Sequence, residues 1–206
     1  MVGGYTADLA YVLTAIWESF PPRWAIRWWM LLRYRGLASR YDRQVIAQDE
    51  DYGMPLQAAL GQITAAPRRI LDVGTGTGFA AHAVSEVFPH ATVIGCDLSP
   101  EMLQQARERG GGVMFVRCDS THLPFPASAF DLTVVSNSPP PVRELARITG
   151  PGGAIVIGFS SGARLPTWTL HRLAGKLRAL GCADVAWEPA GEGLFIVARK
   201  RAETAA

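Results

Sequence analysis

The sequence predicts an α/β fold: a doubly wound, seven-stranded sheet with an antiparallel last strand, preceded by a helical cap. Three observations predict it. From Arg68 onward short apolar runs alternate with segments of helical spacing, the order expected of a mainly parallel sheet covered on both faces. The first run meets its helix through a glycine turn, Gly74-Thr75-Gly76-Thr77-Gly78. The last two runs are joined by Glu188 to Gly193, too short for a crossover helix, so they should pair antiparallel. The expected division is a cap over residues 1–64 and a sheet domain over 65–206.

The cap contains no clear strand. Leu9, Leu13, Ile16, Trp17 and Phe20 recur at helical spacing, and Pro21-Pro22 ends that helix. A second helix is expected to follow, carrying Trp24, Trp28 and Trp29 among Arg23, Arg27, Arg33 and Arg35. Its apolar residues do not share one face. Residues 9–36 therefore read either as a lid beside the site, with arginines snorkelling to water, or as a peripheral membrane contact or oligomer surface. Tyr41-Asp42 and Tyr52 flank the polar stretch Asp49-Glu50-Asp51, and Pro55 to Ile63 should be the helix before the first strand.

The expected strands are 69–73, 92–97, 113–118, 130–136, 154–159, 184–188 and 193–199. Helices should occupy Phe79 to Phe88 and Pro166 to Leu180, the latter stopped by Gly181. Ser99 before Pro100 has the pattern of an N-cap followed by proline at the first helical position.

Composition agrees and excludes other classes. With 206 residues, 49% of them hydrophobic, the chain can bury a domain-sized core. A net charge of +2 with 18% charged residues carries no polyanion signature, so nucleic acid is not an expected partner. Cys96, Cys118 and Cys182 lack metal-ligand spacing and read as buried reduced thiols, so no metal is expected. The N-terminus has no signal-peptide pattern, and its uncharged stretch from Leu9 to Trp17 falls short of the ~20 apolar residues of a membrane span. The expected location is the cytoplasm, with membrane association through residues 9–36 left open.

The glycine spacing selects among nucleoside ligands. Alternate glycines let the backbone approach a ligand where a Cβ would collide. A dinucleotide fingerprint requires a third glycine at position 79, which is Phe79, and no Gly-Lys-Ser/Thr follows as in a phosphate loop. Asp72 would repel a pyrophosphate and suits a cation or ammonium group.

Ile70-Leu71-Asp72-Val73-Gly74-Thr75-Gly76-Thr77-Gly78 resembles the first motif of the class I S-adenosylmethionine-dependent methyltransferases. The small-molecule, quinone-methylating group is the nearest likeness. The resemblance spans roughly Arg68 to Lys200 and implies a Rossmann-like sheet with S-adenosyl-L-methionine as cofactor. It places Asp72, Gly74, Thr75, Gly76 and Gly78 in the donor loop. Thr92 to Asp97 ends in an acid about 20 residues past the glycines, where Asp97 and Leu98 would hold the ribose. Asp119 and Ser120 correspond to the adenine contact, and Ser136 to the fourth strand's end. Phe130 to Val135 and the run Glu144 to Ile148 before Gly150-Pro151-Gly152-Gly153 continue the family order.

The chemistry implied is SN2 methyl transfer, in which alignment and, for some acceptors, proton removal are the protein's tasks. No catalytic residue is assigned. The candidates are Tyr41, by its position in quinone-type members, His122 beside the adenine edge, and Asn137. Ser136-Asn137-Ser138-Pro139 departs from the Asn/Asp-Pro-Pro-aromatic motif of amine-methylating members, since Ser138 intervenes. The short loop there leaves selectivity to the cap and to Ser160 through Trp168. The expected function is methylation of a small, lipophilic or aromatic acceptor. A membrane-surface enzyme resembling phospholipid N-methyltransferases and a non-catalytic S-adenosylmethionine-binding module remain open alternatives, as does oligomeric state. A nicotinamide oxidoreductase is disfavoured by the glycine spacing and by the lack of any Tyr-x-x-x-Lys pair.

Overall fold

A computed structural model describes residues 37–47, 49–162 and 165–202. Both expected helices of the cap, and with them the proposed membrane contact at 9–36, lie outside the described residues. The described chain forms seven strands: β1 (Arg69–Val73), β2 (Thr92–Asp97), β3 (Met114–Arg117), β4 (Phe130–Ser136), β5 (Thr149–Phe159), β6 (Cys182–Ala190) and β7 (Gly193–Lys200). Its helices are α1 (Met54–Gly61), α2 (Phe79–Val87), α3 (Pro100–Glu108), α4 (Val142–Ile148) and α5 (Thr167–Ala179).

The strands form one sheet in the order β3-β2-β1-β4-β5-β7-β6. Strands β1 to β5 are parallel, whereas β7 runs antiparallel to both β5 and β6. The strand order reverses between β1 and β4, the crevice where open α/β sheets hold ligands.

Helices cover the sheet on both sides, which explains why the strands read as apolar runs rather than alternating patterns. Ile70, Leu132, Val134 and Val156 form one core with Leu56 and Leu60 of α1 and Ala80, Ala81 and Val84 of α2. Leu71, Val73, Val135, Ile155 and Ile157 form the other with Leu145 of α4 and Leu173 and Leu177 of α5. Burial of each large aliphatic chain contributes roughly 1.5–3 kcal/mol, so these cores hold the strand ends in place. Residues 54–61 thus pack within the sheet domain's own core.

Several boundaries differ from those expected, each for a local reason. β3 is shorter at both ends than 113–118. β5 begins at Thr149, not 154, because Thr149 pairs with Phe130 and a register shift before Leu132 absorbs the glycines. Gly152 takes φ +73°, and a Cβ on Gly153 would lie 2.7 Å from the Asp131 carbonyl oxygen. β6 extends through Pro189, tolerated because β6 is an edge strand. The hairpin then turns on Gly191 and Glu192 alone. At α3 the expected cap is present: the Ser99 hydroxyl accepts from the Met102 N–H at 3.2 Å.

Candidate functional site

The glycine loop leaves β1 and is fixed from β2. The backbone N–H groups of Gly74 and Thr75 donate to the Cys96 carbonyl at 2.8 and 3.0 Å, and Gly76 N–H donates to Asp97 Oδ2 at 2.9 Å. Gly74, at φ +74°, also faces the loop after β4, where an added Cβ would strike the Ser138 side chain. The two sides of the crevice therefore touch at this glycine. Gly78, at φ +85°, is the left-handed N-cap of α2.

Three carboxylates end three neighbouring strands. Asp97 caps β2, its Oδ1 accepting from Ser99 N–H at 2.8 Å. Burial pushes its pKa up, and the N–H groups of Ser99, Gly76 and Leu98 draw it back. Asp119 follows β3 and accepts from the Thr121 N–H at 3.0 Å and hydroxyl at 2.8 Å, closing a tight turn. The strand ends are joined through Cys118 N–H, which donates to the Asp97 carbonyl at 3.0 Å. Leu98, Ser120 and Ser136 stand half-buried along this edge.

Asp72 is different. It is 1% exposed and neither carboxylate oxygen has a hydrogen-bond partner; the neighbouring Thr75 hydroxyl is also unpartnered. Burial, with a smaller contribution from Asp97, raises its pKa to about 7; Thr75 and the Ala81 N–H oppose the shift without reaching hydrogen-bond geometry. An unsatisfied buried carboxylate is costly. One beside a glycine cradle fits a cationic ligand group, such as the ammonium of an amino-acid moiety. The residues present therefore fit S-adenosylmethionine.

The catalytic candidates occupy three different settings. Asn137 follows β4 at φ +51°, with Oδ1 accepting from Ser160 N–H at 2.7 Å and its own N–H donating to the Gly158 carbonyl at 2.9 Å. Its Nδ2 is buried without a partner. The half-buried Tyr41 places its hydroxyl 3.3 Å from that of Tyr52, which meets Phe79 edge-on at 5.1 Å between ring centroids. His122 is exposed, its Nδ1 3.0 Å from the Thr121 hydroxyl. The structure thus gathers Asp72, Asp97, Asp119 and the glycines along one edge, with Asn137 across the crevice and His122 on the surface.

Two contributors escaped the motif reading. Thr77, between the loop glycines, donates to Asp42 Oδ1 at 2.6 Å, and Arg109 pairs with the same carboxylate. Arg147 bridges Glu144 and the carbonyls of Leu123 and Phe125, at 2.6 to 3.0 Å, organising the loop after β3. Glu144 is held below its usual pKa chiefly by Arg147. The spacing of three between Glu144 and Arg147 was a readable sign of a helix-face pair; nothing local marked their reach to the loop.

Residues 70–153 match the methyltransferase-domain family. Malonyl-[acyl-carrier protein] O-methyltransferase of Halorhodospira halophila is 36% identical over 155 residues, covering 70% of this chain and 50% of that protein. Demethylmenaquinone methyltransferase of Thermus thermophilus is 35% identical over 134 residues, covering 59% of this chain and 61% of that protein. The chain therefore spans about half to three-fifths of the length of these curated relatives. A TehB-like S-adenosylmethionine-dependent methyltransferase of Corynebacterium glutamicum has the same fold, with a TM-score of 0.62 at 21% identity over 82% of this chain and 99% of that one. By motif, strand order and these similarities, residues 70–153 belong to the class I S-adenosylmethionine-dependent methyltransferase family, whose cofactor is S-adenosyl-L-methionine.

Proposed function

We propose that the chain transfers a methyl group from S-adenosyl-L-methionine to a small, lipophilic or aromatic acceptor. The observation that carries the donor half is the buried, unpartnered carboxylate of Asp72 beside three glycines in left-handed conformation. In this reading Asp72 takes the ammonium group, Gly74 to Gly78 underlie the amino-acid moiety, Asp97 and Leu98 hold the ribose, and Asp119 and Ser120 the adenine. Ser136 closes the donor pocket from β4. When bound, the cofactor supplies an electrophilic methyl group on a sulfonium.

What remains for the protein is to align the acceptor and exclude water. Asn137 serves the acceptor: its carbonyl oxygen is fixed by Ser160, so the amide group is oriented with Nδ2 free to donate to an acceptor oxygen. The aromatic cluster of Tyr41, Tyr52 and Phe79 supports an apolar or ring-bearing acceptor. Of the two curated relatives, one is named for O-methylation of malonyl-acyl carrier protein and the other for methylation of demethylmenaquinone. Among the described residues no helix is long and apolar enough to cross a membrane.

Calorimetry with S-adenosylhomocysteine and with NADH tests the donor half. Binding of the former alone is expected, weakened about 100-fold by Asp97→Ala through loss of charge-assisted bonds to the ribose and to Gly76. Equal binding of both ligands, or an unchanged Asp97→Ala, would overturn it. Transfer of labelled methyl to demethylmenaquinone or malonyl-acyl carrier protein tests the acceptor half.

A further inference from the structure

The glycine motif does not explain what fastens residues 37–47 beside the loop. This segment has no α-helical element: Ala38–Arg40 is a 3-10 turn and Asp42–Ile46 a π-helical turn, a geometry frequent at functional sites. Asp42 opens the π turn and reaches two distant parts of the fold. Its Oδ1 accepts from the Thr77 hydroxyl at 2.6 Å and its Oδ2 from the guanidinium of Arg109.

Thr77 is 2% exposed and stands between Gly76 and Gly78. Arg109 is the C-cap of α3, the helix whose N-cap, Ser99, donates its backbone N–H to Asp97. One carboxylate therefore ties the chain before the sheet both to the glycine loop and to the C-terminal end of α3. A half-exposed ion pair adds little to global stability, and Asp42 belongs to neither hydrophobic core. Its effect falls instead on the orientation of Thr77 and on how closely residues 37–47 approach the loop.

We propose that Asp42 is a positioning residue for the cofactor: through Thr77 and Arg109 it straps residues 37–47 across the glycine loop and slows the cofactor's departure. The proposal rests on the donor reading above. Opening the strap requires breaking both bonds to Asp42, so the carboxylate acts on dissociation more than on association.

Stopped-flow displacement of S-adenosylhomocysteine from the full chain provides the test. Asp42→Ala is expected to release it about tenfold faster, with the association rate nearly unchanged, the size expected for losing a charge-assisted hydrogen bond. Thr77→Val, which keeps the side-chain shape and leaves the Arg109 contact, should reproduce most of it, and the double variant should be no faster than Asp42→Ala alone, because that variant has already lost the Thr77 bond. Arg109→Gln should give about a twofold effect that disappears at high salt. Wild-type dissociation rates in Asp42→Ala and Thr77→Val, or effects that multiply in the double variant, would overturn the strap. A wild-type protein that binds no S-adenosylhomocysteine would overturn the donor reading itself.

Discussion

The two sides of the crevice are built differently. On the donor side, the glycine loop, Asp97 and Asp119 stand at the ends of β1, β2 and β3 within about 50 residues: the loop hangs from the Cys96 carbonyl and from Asp97, Asp97 accepts from Ser99, and Asp119 accepts from Thr121 in its own turn. On the proposed acceptor side, Asn137 is tied to Ser160 across the loop after β4, and Tyr41 stands beside Tyr52 on a segment tied to the glycine loop by Asp42 and Thr77. In the proposed site a cofactor common to many proteins is met by a contiguous, strand-templated frame, whereas the acceptor is met by the chain before the sheet and the loop after β4.

The largest break in this contrast comes where the sides touch. Gly74→Ala would put a Cβ into the Ser138 side chain and force a non-glycine residue to φ +74°. Together these should abolish detectable S-adenosylhomocysteine binding, as measured by calorimetry, while circular dichroism stays native. Combining it with Ser138→Gly should restore part of the affinity by removing the collision. The left-handed backbone penalty, roughly 1–2 kcal/mol, would remain. Complete rescue would mean that the collision alone matters at this glycine.

The donor side was also the legible side. The alternation of apolar runs and helical spacing located all seven strands, the offset of Gly78 argued against a dinucleotide, and the motif's resemblance to a known family supplied the cofactor. Strand ends were read less well where tertiary pairing overrode local chemistry: Gly150 to Gly153 looks like a turn, yet Thr149 is held in register by Phe130. Asp42 was visible only as part of a Tyr-Asp pair, since its partners lie 35 and 67 residues away. Spacing rules describe neighbours on one element and carry no information about such contacts.

Asp72 offers the next largest effect, read through pH. Its folded pKa of about 7 lies above the ordinary 3.8, so between these values the folded chain retains a proton that the unfolded chain has lost. Stability from this group is therefore full below pH 3.8 and declines as pH rises through 7. The total is at most about 4 kcal/mol, at 1.36 kcal/mol per unit. Denaturation of the ligand-free protein should show wild type losing stability between about pH 4 and 7 relative to Asp72→Asn, which cannot titrate. Affinity for S-adenosylhomocysteine should rise over the same range in wild type, as the carboxylate ionises toward the ligand's ammonium, and stay flat in the variant. Parallel pH profiles for the two proteins would remove the charge from the donor site.

The smallest effect on donor binding is expected at Asn137, and for that reason it sharpens the contrast most. Asn137→Asp keeps an oxygen for the Ser160 N–H and tolerates the left-handed backbone, but replaces the buried Nδ2 donor with an anionic oxygen. If Nδ2 serves the acceptor, S-adenosylhomocysteine affinity should stay within about threefold of wild type, because no donor-side bond is lost. Methyl transfer to an oxygen-bearing acceptor should fall at least about 100-fold, since a hydrogen bond becomes a repulsion between two oxygens. Asn137→Gly relieves the φ of +51° but also loses the Ser160 contact. These changes roughly offset in stability, each about 1 kcal/mol, so its transfer defect would reflect the missing donor rather than a damaged fold. Equal losses of S-adenosylhomocysteine binding and of transfer in both variants would assign Asn137 to the donor frame and erase the division between the two sides at β4.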